Sequence, residues 1–373
     1  MSGGVDSSVA AALMVEAGYE VIGVTLNVEP REIALETIAR EDACCSITSV
    51  EDARRVASHL GIAHYALNFR DVFRERVIDD FSREYTRGRT PNPCVRCNEY
   101  IKFEAVLDRL TALDADVIAT GHYARGDTCQ VTGRPRLLRG ADSWKDQSYV
   151  LYPIKTDLLA RVVFPLGGMT KAEARQAARA RGLLTADKPE SQDICFVPDG
   201  DYGAHVARQY GAAARPGAIR DTDGRVIGEH RGIVYYTIGQ RRGLGIAATE
   251  PRFVIRIDAD ANEVIVGVAD DLLATTFSVS AVNWVSIERP SDVLRAETKI
   301  RSRSAVAASE VWPGGDGGAF VRFSSPQRAI TPGQAAVFYQ GDIVLGGGTI
   351  ECVDPLAHAA VTRDAEFASV GAR

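Results

Sequence analysis

Residues 2–8 read Ser-Gly-Gly-Val-Asp-Ser-Ser and run directly into the helical pattern of residues 9–17. Paired glycines let a ligand approach the backbone closely, and amides and hydroxyls at a helix N-terminus point toward an anion. This stretch, called the opening loop below, therefore predicts a phosphate site. It lacks the Gly-Lys-Ser/Thr ending of the common nucleotide loop, which argues against a kinase or GTPase. A simple helix cap explains one serine or aspartate but not the whole string.

Strand and helix patterns alternate through the first 199 residues. The strands are predicted at 20–28, 63–69 and 116–120, and the helices at 50–60, 72–85 and 102–113. This alternation predicts an α/β domain with a doubly wound parallel sheet, in which ligands bind at the carboxyl ends of the strands. The opening loop and residues 120–123, Thr-Gly-His-Tyr, both fall at that edge. We therefore expect them to share one nucleotide.

The opening loop begins at residue 2, whereas a loop of this kind normally follows the first strand of its sheet. A buried parallel strand takes about six to eight residues. We therefore expect the true start to lie upstream of Met1. An N-terminally extended chain is expected to bind the nucleotide more tightly and to be more stable.

Beyond residue 200 the sequence changes to short alternating strands separated by turn signals. Glycine, asparagine, aspartate or proline residues between apolar runs predict hairpin turns at 223–224, 260–262, 313–318 and 340–342. This pattern predicts two small antiparallel β domains. We place the α/β catalytic domain at 1–199, a central β domain at 200–269, a C-terminal barrel-like domain at 270–360 and a tail at 361–373.

The composition of the 373-residue chain is typical of a globular protein, with 46% hydrophobic and 25% charged residues. No apolar run has the length of a membrane span, and the N-terminus carries neither a secretory signal nor an Arg-rich presequence, which predicts a cytoplasmic location. Seven cysteines, an odd number, favour reactive, metal-binding or buried thiols over a disulfide framework. Because the net charge is −6, any nucleic acid must be bound by local basic patches.

Three cysteines have surroundings that indicate chemistry. Cys94 and Cys97 follow two prolines, which predict an extended loop that displays them, and Cys195 lies in Glu-Ser-Gln-Asp-Ile-Cys-Phe, residues 190–196. A neighbouring arginine such as Arg96 is expected to lower a thiol pKa and raise the thiolate fraction. A sulfur-carrying or redox pair, a buried structural set, a zinc site and an iron–sulfur site all remain open. Structural zinc normally takes four ligands, whereas three thiolates with an open position suit a cluster.

Six motifs, in one order, resemble those of bacterial tRNA-specific 2-thiouridylases, a family with an ATP pyrophosphatase loop and an adenine nucleotide alpha hydrolase-like fold. They extend through nearly the entire chain and comprise residues 2–8, 91–93 with 97–98, 120–123, 145–148, 190–196 and 236–241. The resemblance implies an enzyme that replaces the C2 oxygen of the wobble uridine of certain tRNAs with sulfur. ATP, with Mg²⁺, would adenylate that oxygen. A cysteine persulfide, loaded by a donor protein of a sulfur relay, would then deliver the sulfur.

The same resemblance implies roles for individual residues. Cys195 would carry the persulfide and Cys97 would be its partner thiol, closing a Cys97–Cys195 disulfide as sulfide is released. The implied ATP contacts are Ser2, Gly3, Gly4, Val5, Asp6, Ser7, Ser8, Leu26 and Gly121. The implied tRNA contacts are Asn92, Pro93, His122, Lys145, Asp146, Gln147, Arg301, Ser302 and Gln334. Asp6 is also expected to help place Mg²⁺, although an N-cap role explains it equally well.

Two departures from the family pattern affect these assignments. Many members carry an aspartate where this chain has Cys94, which makes the catalytic pair ambiguous and gives a [4Fe–4S] cluster three sulfur ligands, Cys94, Cys97 and Cys195. No other metal ligand is assigned. Other members tend to have Arg-Tyr where this chain has Arg301 and Ser302, which removes a stacking contact. Further basic candidates for RNA binding lie at 87–89, 240–242 and 299–303.

Three alternative functions compete with persulfide-based thiolation. Iron–sulfur-dependent sulfide transfer would use the same cysteines and the same tRNA. An ATP pyrophosphatase that forms an amide or guanidine bond explains the opening loop but not the cysteines. A noncatalytic RNA-binding or iron–sulfur carrier protein is disfavoured because the loop and the thiols are both intact.

Overall fold

The computed structural model describes residues 1–28, 47–189, 194–197, 199–209 and 211–355. The predicted α/β alternation is present in the first part of the chain. Its helices are α1 (Val5–Glu16), α2 (Ile47–Leu60), α3 (70–86), α4 (93–110), α5 (Thr156–Leu159), α6 (Lys171–Ala180) and α7 (Tyr202–Gln209). Its strands are β1 (Ile22–Asn27), β2 (Ala63–Asn68), β3 (Ile118–Ala119), β4 (Ala124–Thr128), β5 (Pro135–Arg139) and β6 (Val162–Val163).

Parallel strands of the α/β region form two separate pairs in the described residues. β1 runs beside β2, with Leu26 opposite Leu67, and β3 runs beside β6, with Ile118 opposite Val162. Helices α1 and α6 pack together, and a core that includes Val9, Leu166 and Ala174 lies between them. The carboxyl end of β3 therefore lies close to the N-terminus of α1, as the sequence predicted for adjacent loops of one site.

Helix α4 begins earlier than the sequence predicted, because the expected helix started at residue 102 and the structure starts it at Pro93. Proline fits the first position of a helix, where its missing N–H has no intrahelical partner to lose. The side chain of Asn92 caps the helix by accepting a hydrogen bond from the Cys94 amide at 3.1 Å. Cys94 and Cys97 therefore lie on a helix, and the predicted extended loop around them is wrong.

The second part of the chain is β-rich, and its four predicted hairpins are confirmed. A four-stranded sheet has the order β8–β7–β10–β9, formed by β7 (Gly217–Arg220), β8 (Val226–His230), β9 (Phe253–Asp258) and β10 (Glu263–Gly267). It differs from an all-antiparallel sheet at one place, since β7 and β10 run parallel.

A closed antiparallel barrel of six strands follows the four-stranded sheet. Its strands are β11 (Leu273–Asn283), β12 (Leu294–Lys299), β13 (Ala307–Pro313), β14 (Ala319–Arg328), β15 (Ala335–Gln340) and β16 (Ile343–Pro355). Pairing of β11 with both β14 and β16 closes the barrel. The barrel interior is apolar, with Phe277, Val321 and Phe338 fully or almost fully buried.

Two cores join the three parts of the chain. Phe73 and Phe81 of α3 pack in one core with Ile219 and Val254 of the four-stranded sheet. Val95 and Phe103 of α4 share a second core with Val337 and Tyr339 of the barrel. In addition, the β4–β5 hairpin extends the barrel sheet through pairing of β5 with β16. Within the described residues, no helix has both the length and the apolar character needed to cross a membrane.

Candidate active site

Residues 5–8 of the opening loop form the first turn of α1, which therefore begins before the expected helix at 9–17 and has Gly4 as its N-cap. Gly3 has a φ of +67°, and a Cβ at this position would overlap the carbonyl oxygen of Ser49. The hydroxyls of Ser7 and Ser8 donate to the Gly4 carbonyl oxygen at 3.1 and 2.8 Å. Because a glycine cap has no side chain, it leaves the first-turn amides of α1 to an external acceptor, and a phosphate is the acceptor that such a helix end favours.

Asp6 is held by Tyr123, from the segment expected beside the opening loop, and by Lys171, which the sequence did not place near it. Lys171 Nζ lies 2.7 and 2.8 Å from its two carboxylate oxygens, and the Tyr123 hydroxyl donates to Oδ1 at 2.7 Å. The Lys171 side chain is only 12% exposed. Asp6 is therefore not the N-cap of α1, which corrects that reading. If the Lys171 ammonium moves from Asp6 to a bound phosphate, the Asp6 carboxylate oxygens are suitable ligands for Mg²⁺.

Lys188 lies on the other side of the opening loop. Its Nζ donates to the Gly3 carbonyl oxygen at 3.2 Å and pairs with Asp52 at 2.8 Å. Two ammonium groups, from Lys171 and Lys188, thus flank a loop whose own sequence contains no lysine. Neither lysine can be predicted from the local sequence, because Lys171 and Lys188 lie 165 and 185 residues from their partners in the loop.

Gly121 brings the segment 120–123 against the opening loop. A Cβ on Gly121 would lie 2.7 Å from the Asp6 carbonyl carbon and the Ser7 nitrogen, closer than side chains approach. The expected meeting of these two distant segments is therefore confirmed. Leu26, by contrast, pairs with Leu67 and packs partly buried against the core. This contact accounts for Leu26 as a core residue, and its adenine contact stays a prediction.

The three cysteines expected to carry chemistry lie on two segments of the chain. Cys94 is exposed in the first turn of α4, and Cys97 is half-buried one turn later, where the helix widens into a π-helical segment, Cys97–Glu104. Cys195 is exposed, and its neighbours Ile194 and Phe196 pack in the same core as Cys97. The structure thus anchors both thiol-bearing segments on one core.

The described residues, which include Cys94, Cys97 and Cys195, contain no group of three His, Cys, Asp or Glu side chains placed to hold a metal ion. As arranged here, the three thiols do not fit a [4Fe–4S] cluster.

Arg96 does not occupy the role expected for it. Its guanidinium lies 2.9 Å from Glu99 and 3.5 Å from Asp80. These carboxylates raise the pKa of Arg96, although burial opposes the change. Because its charge is neutralised by two acids, the expectation that Arg96 activates a neighbouring thiol loses its support.

His122 lies inside the protein, with 7% of its surface exposed. Its Nδ1 is 3.0 Å from the Thr120 hydroxyl and its Nε2 is 3.4 Å from Lys102 Nζ. Burial, and secondarily the Lys102 charge, hold the pKa of His122 well below its usual value. The imidazole is thus neutral and mostly buried, and its contact with the tRNA stays a prediction.

Residues 145–148 form a tightly hydrogen-bonded turn next to Tyr123. Asp146 accepts from the amides of Gly140 and Ser148 at 3.1 and 3.0 Å, and Gln147 Oε1 accepts from the Tyr123 amide at 2.9 Å. The side chains of Asp146 and Gln147 therefore hold the loop together. Lys145 belongs to the same turn, since its backbone amide donates to Asp142 Oδ1 at 3.3 Å, and the tRNA contacts expected of these three residues stay predictions.

The barrel contributes residues that hold the start of α4. Gln334 Nε2 donates to the Thr90 carbonyl oxygen at 2.7 Å, and Thr90 N donates to the Pro332 carbonyl oxygen at 2.9 Å. Arg89 pairs with Glu84 at 2.6 Å and with Glu351 of β16. Gln334 and Arg89, both RNA candidates from the sequence, thus connect the barrel to the segment that precedes Cys94.

The remaining predicted RNA contacts differ in exposure. Arg301 donates to the Ala329 carbonyl oxygen at 2.8 Å and to the Thr331 hydroxyl at 3.0 Å, and burial lowers its pKa. Ser302 is exposed, whereas Pro93 is buried at the start of α4. Ser302 is therefore accessible on the surface, Arg301 is held by internal hydrogen bonds, and the tRNA contacts expected of these residues stay predictions.

Family models match almost all of the chain. A model described as a tRNA methyl transferase HUP domain matches residues 1–199, and one described as a tRNA methyl transferase PRC-barrel domain matches residues 205–268. A third, described as an aminomethyltransferase beta-barrel domain, matches residues 274–350.

Curated relatives carry a different description. The chain is 51% identical, over 352 residues, to a tRNA-specific 2-thiouridylase MnmA of Heliobacterium modesticaldum, which covers 94% of this chain and 91% of the relative. It is 50% identical over 353 residues to the protein of that name from Carboxydothermus hydrogenoformans, covering 94% and 96% of the two chains. A Thermoanaerobacter sp. relative named tRNA-specific 2-thiouridylase MnmA 1 is 48% identical over 351 residues, with the same two coverages.

Proposed function

Because the chain belongs to the tRNA-specific 2-thiouridylase family, we propose that it is an ATP-dependent tRNA-uridine 2-sulfurtransferase acting on the wobble uridine. ATP adenylates the C2 oxygen of this uridine, and sulfur then replaces the adenylated oxygen. The observation that carries the proposal is the opening loop itself, a glycine-capped helix end flanked by Lys171 and Lys188. This arrangement suits the triphosphate of ATP.

Two of the matching family models have descriptions that name a methyl transferase, but the site favours thiolation. Methyl transfer needs no ATP phosphate site and no paired thiols. The opening loop, by contrast, supplies a phosphate site, and Cys97 packs on the same core as the neighbours of Cys195. Both features are needed when an inert oxygen is first activated and then displaced by sulfur.

In the first step, the C2 oxygen of uridine attacks the α-phosphorus of ATP and pyrophosphate leaves. The α1 amides and the Lys188 ammonium would stabilise the negative charge on the phosphates. Asp6 would hold Mg²⁺, which neutralises phosphate charge when bound. Lys171, displaced from Asp6, would then contact a phosphate. Gly121 keeps the neighbouring backbone close enough to enclose the loop.

In the second step, the terminal sulfur of a Cys195 persulfide attacks C2, and AMP leaves with the former uridine oxygen. The Cys97 thiolate then attacks the inner sulfur of Cys195, which forms the Cys97–Cys195 disulfide and releases the thiocarbonyl. If Cys97 attacks first, free sulfide is released and attacks C2 itself. In both orders the two cysteines lose two electrons and the transferred sulfur gains them. A reductant must reopen the disulfide before the next turnover.

The partners follow from these steps. The tRNA would contact Asn92 and Gln334 near the start of α4, together with Lys145 and Ser302, and reaching C2 requires the uridine to leave its base stack. A persulfide-bearing relay protein would load Cys195, which is exposed. The reducing cytoplasm suits an enzyme whose disulfide must be reopened in each cycle.

A first experiment is reconstitution with ATP, Mg²⁺, unmodified tRNA and a persulfide donor, followed by mass spectrometry of the tRNA nucleosides. We expect 2-thiouridine in the wild-type reaction and tRNA-dependent release of pyrophosphate. Pyrophosphate release on a small metabolite without tRNA would instead support an amide- or guanidine-forming ligase. Binding of tRNA with neither product would support a noncatalytic RNA-binding protein.

Cysteine variants separate the thiol assignments. Cys97→Ala and Cys195→Ala are expected to abolish 2-thiouridine formation while they retain ATP binding, and Cys94→Ala is expected to retain activity. Loss of activity in Cys94→Ala with retention in Cys97→Ala would contradict the pair. Iron analysis of anaerobically and aerobically purified protein tests cluster-dependent sulfide transfer, which requires stoichiometric iron in the active anaerobic sample.

A further inference from the structure

Trp144 is a large aromatic residue that the described protein leaves in solvent. Its side chain is 94% exposed, whereas Trp284 in the barrel is 9% exposed. Trp312 is partly buried and packs against Phe320 and Arg322. Tryptophan normally buries much of its apolar surface, so an indole that is almost fully exposed indicates a surface that another molecule covers.

The exposure of Trp144 does not come from an unstructured loop. Asp142 Oδ1 accepts from the amides of Trp144 and Lys145 at 3.0 and 3.3 Å. Farther along the loop, Asp146 accepts from the amides of Gly140 and Ser148. These bonds fix the backbone on both sides of the indole, so a ligand can bind it at a small cost in conformational entropy.

The loop is joined directly to the proposed ATP site. Asp142 Oδ2 accepts from the Lys171 amide at 3.0 Å, and the ammonium of the same lysine holds Asp6 in the opening loop. A single residue, Lys171, thus links the loop that presents Trp144 to the loop that is expected to bind ATP. We therefore expect a molecule that binds Trp144 to lie close to the reacting nucleotide.

We propose that Trp144 is a stacking platform for an unpaired base of the RNA substrate, next to the uridine that reacts. This proposal rests on the proposed function. When a uridine leaves its stack, the neighbouring bases lose an aromatic contact, and an exposed indole replaces it. The adjacent Lys145 supplies a positive charge for the backbone phosphate. This combination of an aromatic ring and a cation is typical of single-stranded RNA recognition.

Intrinsic fluorescence tests the proposal, because Trp144 is the most exposed of the three tryptophans of the chain. Addition of unmodified tRNA to the wild-type protein is expected to quench the emission, and Trp144→Phe is expected to lose most of that quenching. Phe retains a stacking face, so Trp144→Phe is expected to keep tRNA affinity within about twofold, while Trp144→Ala weakens it about fivefold or more. Val131→Ala is the matched control, since Val131 is 92% exposed beyond β4 and is expected to bind tRNA normally.

Three results of the fluorescence and affinity measurements overturn the proposal even when tRNA binds. They are quenching by ATP alone to the same extent as by tRNA, an unchanged tRNA affinity in Trp144→Ala, and quenching that persists in Trp144→Phe. Absence of any tRNA binding overturns it as well. A protein that shows the expected quenching but makes no 2-thiouridine contradicts the proposed function and leaves the stacking platform in place.

Discussion

At the scale of single residues, Gly3 determines the backbone path of the opening loop and Lys171 determines its charge. Gly3 adopts a left-handed backbone conformation against Ser49, and Lys171 neutralises Asp6 while its side chain is only 12% exposed. One residue sets the path of the loop, and the other sets its charge. Substitutions at these two positions should therefore have different effects.

Gly3→Ala is expected to destabilise the loop, because its Cβ would overlap the Ser49 carbonyl oxygen and a positive φ is strained for alanine. We expect a loss of about 1–3 kcal/mol in the free energy of unfolding and a strongly weakened affinity for ATP. Gly4→Ala is the matched control, since Gly4 has a φ of −97° and the nearest heavy atom to its added Cβ is 3.6 Å away. Equal thermal stabilities of the two variants would contradict this account of Gly3.

Lys171→Met is expected to slow tRNA-dependent pyrophosphate release by at least about tenfold, because a charge worth more than about 1.4 kcal/mol to the phosphates is removed. Arg179→Met on the same helix is the control, since Arg179 pairs only with the exposed Asp187 among the bonds described for it. The rate is measured by pyrophosphate detection at saturating tRNA. Equal rates for wild type and Lys171→Met would exclude a role for this ammonium in the ATP step.

At the scale of elements, helix α4 is held at its start by the barrel. Gln334 and Pro332 bond to Thr90, and Gly333 has a φ of +90° and lies close to the Thr90 backbone. The barrel thereby sets the direction from which the chain enters the helix that carries Cys94 and Cys97. We infer that these barrel residues position the thiols without touching the reacting atoms.

Gln334→Leu is expected to loosen the segment before α4, because it leaves the Thr90 carbonyl oxygen without its donor. The expected change is a loss of about 1 kcal/mol in the free energy of unfolding and a several-fold decrease in thiolation. Hydrogen exchange of residues 87–97 is expected to rise. Gln327→Leu is the control, since Gln327 bonds only within its own strand in the contacts described. Unchanged exchange in Gln334→Leu would contradict the positioning role.

Elements formed by contacts between neighbouring residues were predicted from the sequence, whereas elements that depend on contacts between distant residues were not. The four hairpins after residue 200 were predicted because their turns are determined by adjacent residues such as Asp223 and Gly224. The β4–β5 hairpin was not predicted, because its pairing with β16 is a contact across domains. The early start of α4 was missed because two prolines suggest an extended chain, although Pro93 fits the first helical position.

The same reasoning applies to the site. The opening loop is a local signal and was identified from the sequence alone. Lys171 and Lys188 carry no local signal, because only folding brings them to the loop. The internal contacts of His122 with Lys102 and of Gln334 with Thr90 carry no local signal either, because only folding forms them. The tRNA contacts expected of both residues stay predictions.

At the scale of the whole molecule, buried histidines make stability depend on pH. Burial lowers the pKa of His122, His64, His205 and His230. In the unfolded chain a histidine has a pKa of about 6.5, so below this pH the unfolded state binds protons that the folded state does not. The free energy of unfolding therefore falls as the pH drops below about 6.5, by up to about 1.4 kcal/mol per pH unit for a fully buried group.

His122→Asn is expected to make this acid-side decrease shallower, since it removes the histidine whose pKa lies furthest below the usual value. Urea unfolding between pH 5 and pH 7.5, a window of about one to two units around the free histidine pKa, measures the slope. His59→Asn, a substitution of an exposed histidine, is the control. Identical slopes for wild type and His122→Asn would show that His122 contributes nothing to the acid sensitivity.

The central claim is that ATP adenylates the uridine C2 oxygen before sulfur replaces it, and the fate of that oxygen tests it most directly. A tRNA transcribed with ¹⁸O at C2 of its uridines is incubated with the protein, ATP, Mg²⁺ and a persulfide donor. The mass of the released AMP is then measured by mass spectrometry. The account predicts one ¹⁸O-labelled AMP for each 2-thiouridine formed. AMP that contains only ¹⁶O, or 2-thiouridine formed without AMP, would contradict it.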